Sequence, residues 1–361
     1  MKIAVIHATA GAGHLKAAEA VYYGVQKYTK HDVKIIDALD HTSPFFKSLY
    51  AGTYVNLVKY VPRLWGFAFG LVDIPVLQGF VRWFRSIYNH LNARKLEQLL
   101  IDRQFDCIIV THFMPTEIIS RLKEQNKIKA KLITCVTDYD VHRIWYGKNV
   151  DRYCVATEYT KKKCVTIGID EDKVQVTGIP TNELFSAAYD VGELKDKMGL
   201  EHDKFTVLVA TGSFGIGPIE EIIQKLVDFQ VVVVCGHNKN LYKTLTDKQY
   251  SNAKVFGLVD NMHELMAIAN AMVTKPGGLS ISEALVMQLP LIFFNPIPGQ
   301  ETNNIKVLNQ HGVGISSTSI THIYEELEKL RTSPDALATV LMKTKEVGCP
   351  FAVKDIVNLT K

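Results

Sequence analysis

Cysteine is scarce and without pattern. The six residues Cys107, Cys135, Cys154, Cys164, Cys235 and Cys349 include no C-x-x-C pair. No disulfide framework follows, and buried reduced thiols in a cytoplasmic protein are the expectation. Long hydrophobic runs are missing too. Nowhere do about 18 apolar residues follow one another without interruption, so no transmembrane helix is expected. The opening Met1-Lys-Ile-Ala-Val-Ile-His7 is too short and too quickly polar for a signal peptide. No long Lys/Arg run occurs, and a net charge of +4 over 361 residues is too small to argue for nucleic acid. A mildly basic chain does suit contact of one face with an anionic membrane. Tandem repeats and low-complexity tracts are absent as well.

What is present is an ordinary globular composition, 47% apolar and 22% charged, and a length that suggests two domains. Strand-like runs alternate with helical ones. Ile3–His7, Val33–Asp37, Cys107–Val110, Lys131–Thr137, Arg152–Ala156 and Val174–Val176 are expected strands, with a helix over Ala17–Lys30. The rhythm restarts after Gly178-Ile-Pro-Thr181. Thr206–Ala210, Val231–Cys235, Lys254–Gly257, Ala271–Thr274 and Leu291–Phe294 are expected strands, with helices over Glu193–Gly199 and Ile219–Val227. This βαβ order argues parallel, doubly wound sheets. The expected fold is α/β of the GT-B type, two Rossmann-like doubly wound domains facing a cleft. Domains are expected over 1–183 and 184–345, with a C-terminal helix in 346–361 returning to the first.

Residues 41–95 break the rhythm. Phe, Trp and Tyr interleave there with Lys47, Lys59, Arg63, Arg82 and Arg85. Two readings stand side by side: a helical subdomain core, and an aromatic-basic surface for peripheral membrane contact.

The densest motif is Lys275-Pro-Gly-Gly-Leu-Ser-Ile-Ser-Glu283, between a short strand and a helix. Lys275, Pro276, Gly277 and Gly278 form a turn whose amides suit a phosphate at a helix N-terminus. Ser280 and Ser282 add hydroxyls, and Glu283 can accept from two ribose hydroxyls. One strand later, Pro298-Gly-Gln-Glu-Thr-Asn-Asn304 supplies Gln300, Glu301 and Asn304, directed groups of the kind that sugar hydroxyls demand. Thr211-Gly-Ser-Phe-Gly-Ile-Gly217 brings Ser213, Phe214 and Gly215 to the end of another strand. Cys235-Gly-His-Asn238 brings Gly236 and Asn238, and Gly257-Leu-Val-Asp-Asn-Met262 brings Val259 and Met262, with backbone suited to a flat base edge. No D-x-D stands at a matching place. No essential bound metal and no separate cofactor are expected, since a helix dipole can stabilise a leaving diphosphate.

In the first half, Gly11-Ala-Gly-His14 opens a helix after the first strand. Gly13 allows close approach, and His14 at a helix N-terminus is favoured as the neutral imidazole that a general base needs. Asp138 and His112 each follow a strand. Asp138 is the alternative base or the partner that orients His14, or else an Asx-turn residue. His112 is an acceptor contact or a satisfied loop histidine.

These residues, with Thr137-Asp138, His142, Trp145, Val150-Asp-Arg-Tyr-Cys-Val-Ala-Thr157, Thr177-Gly-Ile-Pro180, Thr274-Lys-Pro-Gly-Gly278 and Pro298-Gly-Gln-Glu301, resemble the family 28 glycosyltransferases. The likeness is to the bacterial processive diacylglycerol glucosyltransferases and the plant monogalactosyldiacylglycerol synthases, over nearly the whole chain. The resemblance implies an inverting transfer of glucose or galactose from UDP-glucose or UDP-galactose to diacylglycerol, at the inner face of the cell membrane. It implies that Glu283 holds the ribose, Gly277 and Gly278 the diphosphate, Glu301 and Asn304 the hexose, and that His14 is the base or its helper. Three alternatives stay open: a UDP-N-acetylglucosamine transferase, a UDP-sugar epimerase, and a non-catalytic UDP-sugar sensor.

Overall fold

Two all-parallel six-stranded sheets organise the chain. They are seen in a computed structural model that describes residues 1–9, 11–50 and 61–361. Ala10 of the first glycine-rich turn and residues 51–60, Lys59 and Tyr60 among them, lie outside the described residues. The chain divides into two units: Met1–Asn182 with Pro298–Asn303 and Cys349–Lys361, and Glu183–Ile297 with Asn304–Gly348.

In the first unit the strands are β1 (Lys2–His7), β2 (Asp32–Asp37), β3 (Cys107–Val110), β4 (Lys131–Cys135), β5 (Arg152–Val155) and β6 (Val174–Val176), in the order β2-β1-β3-β4-β5-β6. Strands covered by helices on both faces lose the polar alternation of a half-exposed sheet. Hence Ile3 to Ile6 and Cys107 to Val110 are all buried. The chain leaves β1 to one side for β2 and to the other for β3. The switch point, where open α/β sheets bind ligands, therefore lies at the carboxyl ends of β1 and β3.

The second unit repeats the plan. Its strands are β7 (Thr206–Ala210), β8 (Gln230–Val234), β9 (Ala253–Phe256), β10 (Ala271–Thr274), β11 (Leu291–Phe294) and β12 (Ile315–Ser317), in the order β12-β11-β10-β7-β8-β9. Its switch point lies at the ends of β7 and β10. β12 is not among the expected strands: three residues, two of them serine, carry no apolar run.

The helix Ala12–Tyr28 begins five residues before the expected start, because the glycine-rich string forms its first turn rather than a loop. Ala17, Ala18, Val21 and Val25 bury one stripe of it on the sheet, and Gly24 admits the C-terminal helix Ala352–Asn358. A Cβ on Gly24 would stand 2.1 Å from Val353 Cγ1, so no larger residue fits there without movement. Five of the six cysteines are buried, Cys349 is half-buried, and all are free thiols.

Residues 41–95 contain the helices Pro62–Val72 and Gln78–Asn92. The helical segments Arg63–Val72 and Pro75–Asn92 meet at 69°. No single helix among the described residues is long and apolar enough to cross a membrane. Large apolar side chains are exposed along both helices, with Phe67 at 65%, Phe80 at 65% and Trp83 at 60%. The basic residues divide between the two readings of this segment. Arg85 turns inward to an ion pair with Glu117 at 2.6 Å, and Arg82 stacks over the Tyr146 ring at 4.0 Å. Lys47 is paired with Asp40. Arg63 is exposed and unpaired among the described residues.

Candidate active site

His14 lies in the first turn of its helix, at the end of β1 and beside the end of β3. Its Nδ1 is 2.7 Å from the Thr111 carbonyl oxygen and 3.0 Å from Thr137 Oγ1. A carbonyl only accepts, so Nδ1 carries the proton and Nε2 keeps the lone pair. The Thr111 hydroxyl donates back to the His14 carbonyl at 2.8 Å. Enclosure of the ring lowers its pKa to about 4. The Thr111 hydrogen bond opposes this and His7 adds to it. The imidazole is therefore neutral at physiological pH. It touches His112 with ring centroids 4.6 Å apart and lies 6.4 Å from the buried Trp145.

His112 caps the helix Phe113–Glu124, its Nδ1 accepting from the Met114 N–H at 3.1 Å. It is fully buried, and its pKa is pushed well below the ordinary value, first by burial and then by His14, Arg85 and His7.

Asp138 is buried in the loop after β4. The Gln300 amide donates to its two carboxylate oxygens at 2.8 and 3.0 Å. The sequence reading gave Gln300 to a sugar and Asp138 to catalysis or to orienting His14. The groups that hold His14 are instead Thr111 and Thr137, while Gln300 holds Asp138. Further along the loop, His142 Nε2 donates to the Phe69 carbonyl at 2.9 Å, and its Nδ1 accepts from Ile144 N–H at 3.0 Å. Phe69 is also the residue that a Cβ on Gly299 would meet, at 3.0 Å. The exposed helix Pro62–Val72 is thus packed on the loop that carries Asp138 and on the turn that carries Gln300. No sequence signal marks Thr111 beyond its place at a strand end, and Thr137 is marked only as part of the Thr137-Asp138 motif of the resemblance.

In the second unit, the helix Gly278–Val286 starts behind Gly277 without a side-chain cap. The Gly277 N–H is donated to the Lys275 carbonyl at 2.9 Å, so the amides left for an anion are those of Gly278, Leu279 and Ser280. A Cβ on Gly277 would meet nothing within 4 Å, which keeps the approach open. Glu283 is half-buried in the second turn of this helix, and the Ser282 hydroxyl bonds the Gly278 carbonyl at 2.9 Å. Asn304 is fully buried and donates to the Pro276 carbonyl at 3.0 Å, which ties down the turn. Glu301 lies in the first turn of the helix Gln300–Gln310.

The glycine-rich loop after β7 is locked to the turn after β8. Gly215 and Gly236 have positive φ, and Cβ atoms there would stand 2.3 Å from the Cys235 carbonyl and 2.4 Å from the Ser213 carbonyl. Asn238 caps its helix and donates to the Gly215 carbonyl at 3.0 Å. Phe214 is exposed. Val259 and Met262, half-buried, flank the start of the helix Met262–Ala267. Thr211, not singled out by the sequence, stands at the end of β7 with a buried hydroxyl that has no hydrogen-bond partner among the described residues. Among the described residues, no group of three or more His, Cys, Asp or Glu could hold a metal ion.

Residues 14–181 match the family model for monogalactosyldiacylglycerol (MGDG) synthase, and residues 206–355 match that for the glycosyltransferase family 28 C-terminal domain. A curated relative named processive diacylglycerol beta-glucosyltransferase, from Staphylococcus saprophyticus, is 31% identical over 99% of this chain and 93% of its own. Among solved structures, Anabaena HepE in complex with UDP-glucose superposes with a TM-score of 0.59 at 13% identity, over 100% of this chain and 98% of its own. A UDP-N-acetylglucosamine 2-epimerase superposes at 0.60 and 14% identity, over 99% and 94%. Such distant likenesses show the GT-B fold alone, since transferase and epimerase share it. The relatives in sequence decide more: the chain is a glycosyltransferase and belongs to the monogalactosyldiacylglycerol synthase and family 28 glycosyltransferases.

Proposed function

We propose that this enzyme transfers glucose or galactose from its UDP-sugar to the hydroxyl of 1,2-diacylglycerol with inversion, giving a β-glycosyl-diacylglycerol. The observation that carries the reading is the fixed tautomer of His14. With Nδ1–H held by Thr111, the Nε2 lone pair is left for the proton of an acceptor hydroxyl. That oxygen then attacks the anomeric carbon from the side opposite the diphosphate. The uncapped amides of Gly278, Leu279 and Ser280 suit the charge that develops on the leaving UDP. Glu283 is assigned to the ribose hydroxyls and Glu301 to the hexose. The activity for which the staphylococcal relative is named supports diacylglycerol as acceptor.

The lipid acceptor also fits the exposed apolar side chains Phe67, Phe80 and Trp83. An apolar helical face of this kind suits a bilayer interface, where a peripheral enzyme meets an acceptor that does not leave the membrane. The test is incubation with diacylglycerol vesicles and radiolabelled UDP-glucose, UDP-galactose and UDP-N-acetylglucosamine, followed by lipid extraction. Label in the lipid phase from one of the two UDP-hexoses is expected. Label from UDP-N-acetylglucosamine alone, or none from any donor, overturns the reading.

A further inference from the structure

We infer that His112 is a second catalytic residue, whose Nε2–H donates to the same acceptor oxygen that gives its proton to His14. This rests on the reading of His14 as the base. The Met114 N–H donates to Nδ1 of His112 at 3.1 Å and so occupies that nitrogen's lone pair. A neutral imidazole has one proton, which here stands on Nε2. Burial holds the ring neutral, helped by His14, Arg85 and His7. His14 has the opposite arrangement, with the proton on Nδ1 and the lone pair on Nε2. The two rings are 4.6 Å apart at 78°. Adjacent strand ends thus offer one donor and one acceptor, each fixed by a backbone contact.

Among the described residues no hydrogen bond engages His112 Nε2, and that nitrogen is not one of the fully enclosed polar atoms left without a partner, so the small exposed part of the residue includes it. Its other neighbours are rings, Phe113 at 4.1 Å and Tyr50 at 6.1 Å. An N–H that reaches solvent and has no protein acceptor is available to a ligand oxygen. An alcohol oxygen meets the need of both rings. Its proton passes to His14 Nε2, one lone pair receives the His112 N–H, and the other forms the bond to the anomeric carbon. As that bond forms, the bond from the anomeric carbon to the diphosphate oxygen breaks, and its electron pair leaves with the nucleotide. His112 keeps its own proton. It selects which lone pair attacks, and it stabilises the negative charge that grows on the oxygen as the proton departs.

Two substitutions separate this role from capping. His112→Asn keeps an acceptor where Nδ1 stands, and asparagine is a strong N-cap, but it deletes the distal donor. His112→Gln keeps an N–H near the position of Nε2 and loses the cap. The inference expects His112→Asn to melt like the wild type, to keep its KM for UDP-hexose, and to lose kcat by roughly 10²-fold, the scale of one lost donor to a reacting oxygen. It expects His112→Gln to melt earlier and to retain more kcat than His112→Asn. The reverse order of kcat, with His112→Asn near wild type, overturns the inference and leaves His112 as a cap. His14→Ala in the same assay keeps the two readings apart. Full activity there removes the base, whereas the Asn and Gln comparison scores His112 alone.

Discussion

The Nδ1 of His14 lies 2.7 Å from the carbonyl oxygen of Thr111, a residue 97 positions away in the chain. One backbone oxygen thereby decides which imidazole nitrogen is basic. His14→Ala should lower transfer to diacylglycerol by about 10²–10⁴-fold, the usual contribution of a general base, while UDP binding survives. Single-turnover transfer and calorimetry on the same preparation check it. Wild-type transfer by the variant would end the assignment.

Asp138→Asn made in parallel ranks the two candidate bases. The Gln300 amide already donates to both oxygens of Asp138, so the carboxylate is tied to a neighbour rather than presented alone. A smaller loss than for His14→Ala is expected. If Asp138→Asn loses more while His14→Ala stays active, Asp138 is the base.

Glu283→Ala should weaken UDP binding by more than the roughly 1 kcal/mol of a neutral hydrogen bond, because an ionised acceptor makes stronger ones. Titration calorimetry with UDP decides this, and unchanged affinity in a folded variant would refute the ribose assignment.

Replacing Phe67, Phe80 and Trp83 together by serine should abolish sedimentation with vesicles and leave the melting temperature close to wild type, since all three are exposed. Arg85→Met should behave in the opposite way. It strands Glu117, whose carboxyl is already pushed up by burial against the pull of Arg85. Removing one partner of this half-buried pair leaves a poorly solvated charge without its counter-ion, and thermal melts will show the loss of stability. Loss of vesicle binding by Arg85→Met without loss of stability would return that arginine to the membrane face.

Stability should fall as pH drops from about 6.5 to about 4. His14 titrates near 6.5 when unfolded and at about 4 when folded. His112, His142 and His7 are lowered too, each chiefly by burial. Between those values the unfolded chain binds protons that the folded one refuses, so the slope of unfolding free energy with pH is positive there. The contribution is complete above pH 6.5 and gone below the folded pKa. Urea midpoints at pH 7, 6, 5 and 4 measure it. A midpoint unchanged from pH 7 to pH 5 would mean that these rings are protonated in the native state.

Strands were the most legible part of this chain. Cys107–Val110, Thr206–Ala210 and Leu291–Phe294 fall where the sequence puts them, because a parallel strand covered on both faces is an unbroken apolar run. The Ile315–Ser317 strand has no such run and left no mark. The helix Ala12–Tyr28 starts early because glycine's weak helix propensity is overridden where β1 delivers the chain into it. Residues His14 and Asp138 could be singled out as polar groups at strand ends. Their partners could not, since Thr111 is fixed by the pairing of β1 with β3, and Gln300 lies 162 residues from Asp138. Arg82 and Arg85 share helical spacing with exposed aromatics. Composition alone does not say that the Glu117 side chain draws Arg85 inward.

The closeness of Gly24 to Val353 has a consequence for biosynthesis. The helix Ala352–Asn358 belongs to the first unit yet is translated after the whole of the second. A ribosome that has finished residues 1–182 has made every strand of the first sheet but not the helix that covers Val21 and Val25. Apolar surface on that side stays wet until residues 349–361 have been made. Nascent chains stalled before residue 349 should therefore hold a protease-sensitive first half, and emergence of residues 349–361 should convert it to the resistant state.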